Sequence, residues 1–65
     1  MQFKLQQEVR VIVDHTKHAF KEGDIVVIQR IIPAFDPEDV MYICRLKNNE
    51  RRVSALKATD FEAIV

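Results

Sequence analysis

Tryptophan is absent from this 65-residue chain; cysteine, glycine and tyrosine occur once each, and proline twice. A lone cysteine, Cys44, excludes an internal disulfide and leaves no thiolate set for a zinc knuckle, which suits a reducing compartment. An excess of one charge is lacking too. Ten basic and ten acidic side chains cancel, so there is no electrostatic footprint of a general duplex clamp or of a binder of anionic membranes. No apolar run approaches the roughly 20 residues of a membrane helix. The segment from Met1 to Glu8 has neither the apolar stretch nor the small-residue cleavage site of a signal peptide, so a cytoplasmic protein is expected. What is present, 48% hydrophobic and 31% charged residues, is too apolar for disorder and predicts one soluble globule.

Glu8-Val-Arg-Val-Ile-Val13 alternates polar and apolar, the pattern of a strand that buries Val9, Val11 and Val13 on one face. The stretch from Asp14 to Asp24 has one large apolar residue, Phe20, and ends at the only glycine, so it reads as a long loop. Gly23 is expected to make the tight turn, with the Asp24 side chain accepting from a backbone N–H in that turn. Ile25 to Ile32 has β-branched aliphatics at six of eight positions and predicts the second strand. The segment from Pro33 to Asp39 holds both prolines and predicts a second loop. A third strand is expected over Val40 to Lys47 and a two-residue turn at Asn48-Asn49, where asparagine tolerates the left-handed region, before a fourth strand over Glu50 to Ala55. In the tail, Leu56, Phe61 and Ile64 need burial. One helical turn over Ala58 to Asp60 followed by a short last strand would bury them; a short helix over residues 56–65, capped by Thr59 or Ser54, competes. Five short strands with turns between them suggest a small barrel that curls to protect its edges.

The order of these parts, with Lys21-Glu-Gly-Asp-Ile-Val-Val-Ile28, Met41-Tyr-Ile-Cys-Arg-Leu46, Arg52-Val-Ser54 and Thr59-Asp-Phe-Glu-Ala-Ile64, resembles the Src homology 3-like barrels. The likeness is to their short bacterial and phage-borne versions and to KOW-type modules, in which a Lys-Glu-Gly-Asp turn opens the second strand and an acidic-apolar segment closes the barrel. The resemblance implies an all-β, five-stranded Src homology 3-like barrel over residues 8–65, with a short helical turn before the last strand and residues 1–7 as an N-terminal extension. It also implies that Val26 and Ile28 point inward against Val11, Cys44, Val53 and Phe61. The chain departs from the peptide-binding members in lacking the tryptophan pair and the loop tyrosines of their aromatic shelf. That speaks against polyproline recognition, and the same lack speaks against a methyl-lysine cage.

Candidate chemistry is sparse. Asp14, His15 and His18 approach metal-ligand spacing, but loop histidines beside lysines read as solvated, so no metal or cofactor is expected. Cys44 lies mid-strand in an apolar register, the usual setting of an inert buried thiol. With no phosphate cradle and no paired acids on a defined scaffold, the chain is not expected to be an enzyme. The surplus is apolar. If Val26, Ile28 and Ile32 face inward, then Ile25, Val27 and Ile31 face out, and both faces of the strand are greasy. The expected function is therefore a small interaction module that binds a protein partner or a second copy of itself, through Ile12, Val27, Ile31, Ile43 and Phe35, with Arg30 and Arg45 setting register at the rim. On this reading Ile31→Glu leaves the fold intact and abolishes association. The alternative is nucleic-acid binding of the KOW or Tudor type through Arg45, Lys47, Arg51 and Arg52 at the third hairpin.

Overall fold

The computed structural model describes residues 3–13 and 20–64. Five strands follow in order, β1 (Glu8–Val11), β2 (Ile25–Ile32), β3 (Met41–Leu46), β4 (Asn49–Lys57) and β5 (Phe61–Ala63), with 3-10 turns at Pro37–Asp39 and Ala58–Asp60. They form one antiparallel sheet in the order β4-β3-β2-β1-β5. The hydrogen-bonded ladder does not close on itself, and β4 and β5 are its edges. The tail resolves in favour of the turn and short strand over the helix.

The sheet nevertheless curls. β3 and β5 stand three strand spacings apart in the order, roughly 14 Å on a flat sheet. Yet the Tyr42 and Phe61 rings meet edge to face with centroids 5.3 Å apart. Val9, Val11, Phe20, Val26, Ile28 and Cys44 fill the concave side with them, and Leu56 closes it from β4. Phe3 lies over the open end, 4.7 Å from the Phe61 ring and 5.7 Å from that of Tyr42. A turn at Lys4 to Gln7, with Gln6 at φ 68°, leads Phe3 there. Gln6 N–H then donates to Ile28 O at 2.6 Å, and Ile28 N–H to Gln7 O at 3.0 Å. Segment 3–7 thus continues the β1–β2 pairing and contributes to the core.

At the base of the long loop, Gly23 N–H donates to Val11 O and Val11 N–H to Asp24 O, at 2.7 and 2.9 Å. Gly23 sits at φ 94°, which L side chains rarely adopt. The Asp24 carboxylate accepts from Lys21 N–H at 2.9 Å, the expected arrangement of that turn.

Several sequence expectations are corrected. β1 ends at Val11, one residue before the Ile12 N–H donates to Asp60 O of the 3-10 turn, and Val13 is only half-buried. A bulge between Ile28 and Arg30 shifts the β2–β3 register. One inserted residue exchanges the two faces of a strand, so Ile31 packs against the core while Ile32 is 43% exposed, the reverse of the alternation assumed. The third hairpin turns at Lys47-Asn48, because Leu46 pairs with Asn49 and Arg45 with Val53. The Asn49 side-chain oxygen accepts from Arg51 N–H at 3.2 Å, bending the chain so that Glu50 to Arg52 stand outside the register. Neither asparagine takes a positive φ. Val53, expected inside, shares the outward row of Arg45 and is exposed, as are Ile64 and Leu5.

Candidate outer-face interaction site

Cross-strand partners in an antiparallel sheet project to the same side, so the register assigns the residues of the convex face. One row runs Glu8, Val27, Arg45, Val53; the next runs Arg30, Ile43, Ala55; a third runs Ile32, Met41, Lys57. The core residues Val26, Ile28, Ile31, Tyr42, Cys44 and Leu56 all belong to the intervening rows. The convex face of β2, β3 and β4 is therefore a strip of aliphatic side chains crossed by cations.

Val27 is the best hidden of these at 5% exposure, although it is outside the core cluster. It lies between Glu8 and Arg45 in its row, where long side chains can cover an aliphatic neighbour with their stems. Met41, Ile43 and Arg45 are half-buried; Ile32, Val53, Ala55 and Arg30 are exposed. Of the residues singled out in the sequence, Val27, Ile43, Arg30 and Arg45 come together on this face. Ile12 is exposed just beyond β1, on the far side of β2. Phe35 is fully exposed in the β2–β3 loop. Ile31 is removed from the set by the bulge. Met41, Ile32, Val53 and Ala55 belong to the face and were missed, because their sidedness depends on the β2 bulge and on the shifted hairpin.

The charges divide unequally. On the β1–β5 side Arg10 pairs with its register partner Glu62, Nη2 to Oε2 at 2.6 Å. Lys47 Nζ reaches Glu8 at 3.1 Å, which commits this hairpin cation. Arg30 and Arg45 have no ion pair among the described residues. The same holds for Asp36, Glu38 and Asp39, which lie exposed beside Phe35 in the loop that leaves the face at Ile32 and returns at Met41. Arg51 and Arg52 are exposed on β4 near the hairpin. The only tyrosine is buried, and Phe35 stands at the other end of β3, about 20 Å away at the usual strand rise. No exposed aromatic for base stacking therefore neighbours these cations among the described residues.

Cys44 is fully buried, and its thiol contacts Tyr42 O at 3.5 Å. Burial pushes its pKa up to about 12, which keeps it protonated and a poor nucleophile. Asp14, His15 and His18 lie outside the described residues, and among those described no three His, Cys, Asp or Glu side chains gather as a metal site. No helix among the described residues is long and apolar enough to cross a membrane. Compared with known protein families, curated proteins and solved structures, the chain matches none.

Proposed function

We propose that the chain is a Src homology 3-like barrel acting as a non-enzymatic interaction module, which binds a protein partner or a second copy of itself through the convex face of β2, β3 and β4. The fold part of this reading is supported by the order of long loop, proline loop, hairpin and 3-10 turn among the five strands, and by the curl that brings Tyr42 to Phe61. One observation carries the functional part. Aliphatic side chains at Ile32, Ile43 and Val53 alternate on a single face with the guanidiniums of Arg30 and Arg45, which have no ion pair among the described residues. An apolar patch rimmed by cations is the composition of an interface with a buried centre and a polar rim.

A photo-crosslinking side chain tests this at Ala55, exposed in the middle row of the face on its edge strand β4, against a control at Lys4, exposed on the N-terminal turn. Protein adducts from Ala55 alone, lost when Ile43→Glu is added, are expected. Equal adducts from both positions, or none from Ala55, would remove the reading. Nucleic-acid binding through Arg45, Arg51 and Arg52 is the competing outcome, recognised by a steep fall of affinity with salt and by shifts confined to the hairpin amides.

A further inference from the structure

The partner must bring acidic and apolar groups together, and this chain carries such a segment itself. Phe35-Asp-Pro-Glu-Asp39 presents one fully exposed aromatic ring beside three carboxylates that have no ion pair among the described residues. The Asp36 side chain makes no capping hydrogen bond to the 3-10 turn that follows. The convex face offers the complement, with Ile43 between Arg30, its register partner, and Arg45, two residues along the same strand.

From this we infer that two copies of the chain pair reciprocally, the Phe35–Asp39 loop of each lying across the Arg30, Ile43, Arg45 face of the other. The inference rests on the convex face being a protein-binding surface and adds the identity of its occupant. The loop adjoins the face at Ile32 and Met41. A two-fold axis near those residues staggers the copies so that each loop reaches the middle of the opposite face, and residue i of one copy meets residue j of the other in both directions, as an isologous contact requires. Phe35 then covers Ile43 and Val53, Ile32 meets its counterpart near the axis, and the carboxylates meet the two arginines. Three strands at about 4.8 Å spacing make a small face. The association belongs to the weak, transient class, and its charged contacts loosen with salt.

The test is a charge exchange followed by sedimentation over a concentration series. One variant reverses the face, Arg30→Glu with Arg45→Glu; the other reverses the loop, Asp36→Lys with Asp39→Lys. Each alone should sediment as a monomer at concentrations where the parent chain dimerises. An equimolar mixture should recover dimer, because each face again meets a loop of opposite charge. Circular dichroism checks that each variant folds. If the face variant does not, the loop variant carries the test, since its exposed side chains make no contact that the fold requires. A parent chain that stays monomeric, or variants that dimerise as it does, would overturn the inference. In that case adducts to a different protein from Ala55 would leave the binding-face reading standing, whereas no adducts would remove both.

Discussion

Ile31 lies directly opposite Tyr42 in the β2–β3 ladder and packs against the core, whereas its chain neighbour Ile32 pairs with Met41 and faces solvent. The inserted residue at the Ile28/Arg30 shift sets this sidedness. It predicts opposite outcomes for two adjacent substitutions. Ile31→Glu forces a carboxylate against the core and should cost about 2 kcal/mol or more. Ile32→Glu, on an exposed position, should change stability by no more than about 0.5 kcal/mol. Urea denaturation of the two variants checks it, and equal losses would contradict the assigned faces.

Much of the fold was legible in the sequence, and three of the misplaced residues share one cause. Inward Val26, Ile28, Cys44 and Phe61 were implied by the resemblance and the Ala58 to Asp60 turn was one of two readings of the tail; the β2 boundaries, the Gly23 turn and inward Val9 and Val11 follow from local composition and period. The bulge and the hairpin shift do not, because each arises from how two strands pair, and a one-residue slip reverses every side chain beyond it. Ile31, Ile32 and Val53 were misplaced for this reason. The candidate face was half legible. Val27, Arg30, Ile43 and Arg45 were singled out by surplus apolar character and clustered charge, while Ile32, Met41, Val53 and Ala55 waited on the register.

Gly23 offers a second test. A side chain built there meets nothing within 4 Å, so the cost of adding one comes from its φ of 94° alone. Gly23→Ala should therefore destabilise by roughly 1–2 kcal/mol. D-alanine at the same position in a chemically synthesised chain, which favours positive φ, should cost nothing. Thermal unfolding of both reads the backbone strain, and an L-alanine chain as stable as its parent would contradict a cost set by φ.

The three-ring contact of Phe3, Tyr42 and Phe61 joins β3 to β5 across the concave side of the sheet. Phe61→Ala should cost about 3–5 kcal/mol, the usual range for emptying a buried phenylalanine site, enough to unfold so small a domain. Phe3→Ala, at a half-buried ring, should leave a folded but less stable chain. Far-ultraviolet circular dichroism with thermal melts reads both, and a Phe61→Ala chain as stable as its parent would show that the curl does not depend on this contact.

Cys44 gives the pH dependence. Its folded pKa, pushed up to about 12 by burial, lies above the ordinary value of 9.0. The unfolded thiol ionises first, so its contribution to stability is intact below about pH 9 and is lost as pH rises from there toward 12. At neutral pH Cys44→Ala should be less stable than the parent by about 1 kcal/mol, and the gap should narrow above pH 9. Urea midpoints of the pair at pH 7 and pH 10 measure it; a gap unchanged with pH would contradict the buried, protonated thiol.

The binding face itself is tested most directly by amide chemical shifts of the parent chain recorded over a hundredfold range of concentration. Shifts that move with concentration at Arg30, Ile43, Arg45, Val53 and Ala55, together with those of Phe35 to Asp39, are the predicted result. Concentration-dependent shifts confined to β1, β5 or the hairpin tip, with the convex face of β2, β3 and β4 unmoved, would contradict it.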